Sequence, residues 1–339
     1  MAGRPLRFEP YDETPDVSNV VVDGAPNAGT VLTISHWPGT AAPPLCEADT
    51  SAQMAFLYLD RGADLHGDAV VVTNNHFDQD GLAGVYSLVN PVDGLARRGQ
   101  LEDLAAAGDF AVFVDRASAR VSMALAALAD PSTSPVKDLP VDYGELCAVL
   151  YRSALEVLPA WLDNPDCCRD LWAEEDEELD AAIAALASGA VTIEEDAELD
   201  LAVVTLPAAA RSSGHRFVGR RFNGIHPMAL HAATDRTSIL TVDTSNGRHE
   251  LTCRYEGWVQ YRSRLLRPRV DLRSLAGKLT AEETGGAVWQ ATPPSDLTPQ
   301  MNTVPTGRPS AIDPPVLVAA VKQHLLGAPA AWNPYAVSS

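Results

Sequence analysis

The sequence predicts an α/β fold: a largely parallel sheet flanked by helices, followed by a smaller C-terminal α+β domain. Three observations carry this. Apolar, β-branched runs recur early, at 17–22, 30–34 and 69–73, and such continuous runs suit strands buried on both faces. Helix-compatible segments separate and follow them. Beyond about residue 190, short strand-like and helix-like runs alternate.

The elements follow in order. The first run ends at Asp23-Gly24, the second at Ser35-His36 and the third just before His76. A helix is expected over about 49–58, with Asp49-Thr50-Ser51 able to cap it. Another is expected over 82–88. From 91 to 130 apolar residues recur at helical spacing (Leu101, Leu104, Ala105; Val121, Ala124, Leu125, Leu128), and Gly108-Asp109 interrupts them. A Pro/Ser linker spans 131–140. Amphipathic helices are expected over 145–162 and 169–187, and the acidic run 174–178 reads as a solvated helix face. Strands are expected over 199–206, 224–231, 237–242 and 249–262, with a hairpin turn carrying an Asn-Gly signal at 243–247. Helices over 272–279 and 315–326 close the pattern.

The chain has 339 residues, room for two ordinary domains. The expected division is a metal-binding α/β domain over 1–188, an α+β substrate-binding domain over 192–327, and a loose tail over 328–339. No apolar run approaches the ~20 residues of a membrane span. The first residues lack the apolar core of a signal peptide, so a cytoplasmic protein is expected. The five cysteines (Cys46, Cys147, Cys167, Cys168, Cys253) match no zinc ribbon and no redox CxxC; they read as reduced structural thiols.

Net charge is −20, unevenly spread. Residues 1–210 hold 10 Lys and Arg against 36 Asp and Glu, whereas 211–278 hold 13 against 5. An acidic half repels a long polyanion, so long nucleic acid is not an expected partner. A metal site facing a basic anion clamp fits the asymmetry, and a homo-oligomer is compatible with it. No Walker loop, GxGxxG or GxSxG occurs.

The richest segment is His76-Phe77-Asp78-Gln79-Asp80-Gly81. It places an imidazole and two carboxylates at alternate positions after a buried strand, where ionised groups are costly without partners. In open α/β sheets the ligand crevice lies beyond the carboxyl ends of the strands. If the first three strands are neighbours, Asp23, His36 and the His76/Asp78/Asp80 set converge there, and Asp109 can add a ligand. Mixed His and carboxylate donors suit Mn²⁺, Fe²⁺ or Zn²⁺. Two metals would need a bridging carboxylate, for which Asp78 or Asp80 is the expected choice. His226 and His231 would face opposite sides of a strand and so share no metal.

In the region 254–264, a strand would put Arg254, Glu256, Trp258, Gln260 and Arg262 on one face. Arg254, Arg262 and Arg264 are then expected to bind phosphate oxygens, with Trp258 stacking on a base. Tyr255, Val259 and Tyr261 would face the core.

The segment 76–83 resembles the first motif of the DHH phosphoesterase superfamily, in which a strand ends in an x-Asp-x-Asp-Gly turn and a small-residue helix follows. The resemblance implies a two-domain enzyme using two Mn²⁺ (or Mg²⁺) ions on phosphodiesters or phosphoanhydrides, with His76, Asp78 and Asp80 as metal ligands. The stretch 269–276 leading to Gly285-Gly286 is faintly similar to the associated C-terminal domain, which presents arginines and a glycine-rich turn to substrate. No Asp-His-His triplet is present. The combination of SHWPG, HFDQDG and RYEGWVQYRSR also resembles an uncharacterised actinobacterial family.

The expected function is hydrolysis of a small nucleotide or short oligonucleotide by metal-activated water, with Asp80, His76 and His36 as catalytic residues. The alternative is a catalytically reduced sensor or partner protein that binds a nucleotide or a metal. A metal hydrolase acting on a substrate without phosphate is a third reading.

Overall fold

The computed structural model describes residues 4–61, 65–207, 212–217, 220–303 and 307–336. Its first sheet holds strands β1 (Arg7–Phe8), β2 (Asn19–Val22), β3 (Thr30–Ile34) and β4 (Val71–Thr73). Their order is β1-β4-β2-β3, and every pairing is parallel. Val20, Val21 and Val22 are fully buried, as expected of a strand covered on both faces. The three early apolar runs therefore are neighbours, and their carboxyl ends lie side by side.

Helices cover this sheet. The first, α1 (Ser51–Asp60), opens with a capping box in which the Thr50 hydroxyl accepts from the Gln53 N–H and the Gln53 side chain accepts from the Thr50 N–H. The second, α2 (Gln79–Val89), is capped by Asp78, whose carboxylate accepts from the Gly81 N–H at 2.8 Å. A Cβ on Gly84 of α2 would stand 2.5 Å from a Val22 methyl, so the missing side chain lets this helix lie directly on β2. Next come α3 (Pro91–Ala96), α4 (Arg98–Asp109), α5 (Arg116–Ala129), α6 (Tyr143–Asp163) and α7 (Arg169–Ala187). The Gly108-Asp109 pair ends a helix rather than sitting between two.

The second sheet is mixed, in the order β12-β13-β10-β9-β6-β5. Its strands are β5 (Thr192–Asp196), β6 (Leu201–Leu206), β9 (Ser238–Asp243), β10 (Glu250–Cys253), β12 (Gln290–Ala291) and β13 (Gln300–Asn302). Only β6 and β9 run parallel; the other neighbours are antiparallel. The β6–β9 crossover carries the hairpin β7 (Ser212–Phe217) and β8 (Arg220–Gly224), then α8 (Pro227–Ala233). Helices α9 (Arg273–Glu282) and α10 (Pro314–Gly327) follow, and the pair β11 (Arg269–Val270) and β14 (Ala330–Trp332) brings the chain end back.

The two faces of β6 divide the interior. Ala202, Val204 and Leu206 belong to the same apolar cluster as the first sheet and its helices. Leu201 and Val203 belong to a second cluster, with Leu275, Leu279, Leu317 and Val321 from α9 and α10. The period of two along the strand assigns alternate residues to different cores.

Three sequence expectations are corrected. The strand expected over 224–231 is mostly helix α8: Pro227 sits in its first turn, and the His226 ring accepts the Met228 N–H at 3.2 Å. Proline has no N–H to give a ladder but suits the first helical position. The strand expected over 249–262 stops at Cys253; a 3-10 turn (Tyr255–Gly257) and a loop replace the rest. The shared face proposed for Arg254, Trp258 and Arg262 therefore does not exist. Finally, the acidic run 174–178 is not wholly solvated. Glu175 and Asp176 are buried, and Asp176 receives Arg116 at 2.6 Å and Arg120 at 3.0 Å.

No helix of the described residues is long and apolar enough to cross a membrane. The tail after Gly327 contains β14, so that part of it is tied down.

Candidate metal centre

Six side chains from four elements meet beyond the carboxyl ends of β2, β3 and β4. Asp23 follows β2 in a left-handed conformation (φ 50°), a region aspartate tolerates better than most residues. That kink directs its carboxylate into the crevice, where it is 1% exposed. His36 follows β3, His76, Asp78 and Asp80 follow β4, and Asp109 closes α4. The sequence expectation that these residues converge is met in the geometry.

Asp23 stands at the middle. Its Oδ1 lies 3.3 Å from His36 Nε2, and its Oδ2 lies 3.2 Å from His76 Nε2. His76 Nε2 is also 2.7 Å from Asp78 Oδ2. His36 Nε2 is 3.8 Å from Asp80 Oδ2 and 3.4 Å from Asp109 Oδ2. Two groups can each offer donor atoms within 4.8 Å of one another: Asp23/His36/Asp80 and Asp23/His76/Asp78. Asp23 belongs to both, so the shared carboxylate is Asp23, not Asp78 or Asp80. The carboxylate common to both groups comes from a different strand, which no reading of a single motif could reveal.

The surroundings orient these groups. His36 Nδ1 lies 2.5 Å from the Asp49 carbonyl, so this nitrogen carries the proton and donates it. Nε2 is thereby turned toward the carboxylates, the arrangement usual for a ligating histidine. Both oxygens of Asp80 accept backbone N–H groups at the start of α1, from Ser51 and Ala52, each at 2.7 Å. A helix N-terminus favours a carboxylate there. The Ser51 hydroxyl donates to Asp23 Oδ1 at 2.8 Å, and the Asn74 side chain accepts from the His76 N–H at 3.0 Å.

Several buried atoms remain without a hydrogen-bond partner, among them His36 Nε2 and Asp109 Oδ2. Orphaned buried polar atoms are costly, and here they point at one another across a donor set of imidazoles and carboxylates. The residues present therefore fit a divalent cation.

Electrostatics agree. Burial works against ionised Asp23, yet the imidazoles of His36 and His76, 3.3 and 3.2 Å away, hold it far below the usual carboxylate range. Burial and the charge of Asp23 push Asp80 up to about 7. Burial and the charges of Asp80 and Asp78 push Asp109 well above its ordinary value. Burial disfavours charged His36, but Asp23 and Asp80 outweigh it and bring the ring up to about 9. Without a metal, protons neutralise part of the cluster.

This yields a pH prediction. Asp80 and His36 both have raised values, so proton uptake favours the folded state. Their contribution is complete below the unfolded values of about 3.9 and 6.5. It is lost as pH rises through about 7 for Asp80 and about 9 for His36. Asp23, with its value lowered, stays ionised over this range and adds no slope. The metal-free protein is expected to lose stability from pH 5 to 9, and Mn²⁺ to restore more of it at higher pH. Melting curves with EDTA and with Mn²⁺ at pH 6, 7.5 and 9 check this; a Mn²⁺-induced shift that ignores pH would contradict it.

A cavity of about 640 Å³ opens beside the centre. His76, Asp78 and Asp109 line it, as do Trp37 and Tyr255. The Trp37 ring lies 5.1 Å from that of His76 and 5.5 Å from that of Trp258. Tyr255 is buried in an apolar cluster with Phe110 and Val259, as expected, and also borders the cavity, whereas Trp37 was not singled out. Trp37 did leave a signal, since it directly follows His36.

The expected anion clamp is not assembled. Arg254 is 5% exposed; its guanidinium pairs with Glu256 and donates to the Thr234 carbonyl at 2.9 Å. Arg264 lies 3.7 Å from Asp200 and reaches the Asp235 carbonyl. Arg262 lies 3.5 Å from Glu47 and stacks over Tyr335. Trp258 donates to the Ser295 carbonyl at 2.9 Å. None of the four lines the cavity. Their segment acts on the centre from behind instead. The Gln260 N–H donates to the His36 carbonyl at 2.8 Å, and the N–H groups of Arg262 and Ser263 donate to Asp49 at 2.6 and 2.8 Å. Arg269, faintly suggested as facing substrate, is buried and donates to the carbonyls of Arg254, Pro294, Asp296 and Leu297.

His226 and His231 do not join either metal-capable group. His226 Nε2 lies 3.5 Å from Glu175, and His231 Nδ1 lies 2.7 Å from the Phe110 carbonyl. All five cysteines are free thiols, and Cys167 is the exposed one.

The chain belongs to a family of unknown function, DUF6687, whose model matches residues 4–336. Comparison with curated proteins and with solved structures returns no match.

Proposed function

We propose that this family member is a divalent-metal-dependent phosphoesterase that hydrolyses a small phosphoester. One observation carries the reading: Asp23 offers one oxygen toward His36 and the other toward His76, linking two metal-capable groups through a single carboxylate. Two divalent ions at such a site would lower the pKa of water and clamp phosphoryl oxygens. Manganese suits the mixture of imidazole and carboxylate donors. The resemblance of 76–83 to the DHH motif points the same way.

In this reading Asp23, His36, Asp80 and Asp109 hold one position, and Asp23, His76 and Asp78 the other. The water oxygen joins phosphorus, the ester P–O bond breaks, and the leaving alkoxide takes a proton. Asp109 Oδ2, free of hydrogen bonds and 3.4 Å from His36 Nε2, would complete the first position beside the cavity. The nucleotide and the arginine clamp are not carried forward, because Arg254, Arg262 and Arg264 are engaged elsewhere. Free thiols throughout suit a reducing, cytoplasmic setting.

A second reading, a sensor that binds metal without turnover, is favoured by Asp80, whose oxygens already accept two backbone N–H groups. The test is metal content by mass spectrometry, with phosphate release from mono- and diesters before and after EDTA. Two Mn²⁺ per chain and release abolished by EDTA and restored by Mn²⁺ are expected. Metal binding with no release from any ester would favour the sensor; no metal binding would refute both.

A further inference from the structure

We infer that the substrate of this centre carries a largely hydrocarbon body on its phosphoryl group. This rests on the phosphoesterase reading above. The cavity beside the centre is about 640 Å³, within the range that holds most of a drug-sized ligand. His76, Asp78 and Asp109 belong to its lining, and most of the other lining residues are apolar. Met123, Leu125, Ala126 and Ala129 come from α5, Met228 from α8, and Leu297 from the loop before β13. The aromatic rings of Trp37 and Tyr255 complete it beside the metal-capable residues.

Among the described residues, the carboxylates of the lining are Asp78, Asp109, Asp130 and Glu175. Burying hydrocarbon against Met, Leu and Ala is what this wall favours. At the usual transfer free energy, each fully buried methylene raises affinity about fourfold, and partial burial about twofold.

Two sets of hydrogen bonds hold this wall in place. Arg269 donates to the carbonyls of Asp296 and Leu297 at 2.7 and 2.8 Å, so Leu297 is held from a buried anchor. At the other side the Gln79 amide donates to the Ser122 carbonyl at 2.8 Å, tying α5 to the segment that carries Asp78 and Asp80. The apolar wall and the metal-capable residues are thus one fixed unit.

The experiment uses the Mn²⁺-loaded full chain and unbranched alkyl phosphates (ethyl, butyl, octyl, dodecyl) below their micellar concentrations, with AMP as the nucleotide arm. Phosphate release gives kcat/KM, and quenching of tryptophan fluorescence gives binding separately. The expected result is a kcat/KM that climbs about two- to fourfold per methylene until the cavity is full, with octyl phosphate at least about tenfold better than AMP. Ala126→Glu, which puts a charge on the wall, should flatten the series, and its melting curve shows whether it remains folded. Equal rates along the series, or AMP preferred, would overturn the substrate class and leave the phosphoesterase reading standing. No release from any ester, but binding that tightens with chain length, would refute that reading and support an apolar-bodied phosphate ligand. The absence of both release and chain-length-dependent binding would overturn the inference outright.

Discussion

Replacing Asp23 by asparagine is expected to abolish high-affinity metal binding at both positions and to cut phosphoester hydrolysis at least about 100-fold. Mutating partners outside the ligand shell already costs 10–100-fold in metal affinity or activity, and Asp23 faces both imidazoles directly. Asparagine keeps the shape and retains one oxygen. The Ser51 hydroxyl, which donates to Asp23 Oδ1 at 2.8 Å, can still donate to it. The other arm becomes an amide that repels a cation and cannot pair with a protonated ring. Mass spectrometry should find the content fall from two Mn²⁺ per chain to less than one. Undiminished stoichiometry would show that Asp23 is not the bridge. The companion Asp80→Asn is less clean, because it sets an amide N–H against the N–H groups of Ser51 and Ala52.

The second large effect is on stability and leaves the metal alone. Arg254→Met is expected to destabilise the protein by about 3–5 kcal/mol, the usual cost of removing one member of a buried ion pair. Arg254 and Glu256 are both buried and paired. Methionine would fill the space but leave Glu256 charged and unpartnered and the Thr234 carbonyl without its donor. The carbonyl of Arg254 itself receives Arg269 at 2.8 Å, so the damage should extend to the loop holding Leu297. Urea unfolding should show the midpoint lowered, with Mn²⁺ stoichiometry intact. A variant with unchanged midpoint and weakened phosphate binding would instead restore the anion-clamp role expected for this arginine.

The two substitutions separate what was legible along the chain from what was not. The early strands were legible because β-branched runs such as 17–22 record burial on both faces locally. The HFDQDG turn was legible because three titratable groups beside a buried strand need partners. The segments 224–231 and 249–262 were misread for a shared reason. Their alternation looked strand-like, but Pro227 and the Tyr255–Gly257 turn decide backbone geometry over a few residues. With the second strand shortened, the arginines lost their common face, and each found a carboxylate or carbonyl nearby.

By itself, the sequence determined that a parallel sheet forms early and that Asp23, His36 and the His76–Asp80 turn stand at the ends of its strands. Those facts depend on local pattern and on the topology that parallel strands impose. Only the tertiary structure decided that Asp23 is shared between two groups, that Asp109 arrives from α4 to face His36, and that the three arginines lie outside the cavity lining. It also decided that the adjoining cavity is lined mostly by apolar residues. These depend on distances between residues far apart in the chain, where burial makes every unpaired charge costly and close packing selects one set of partners.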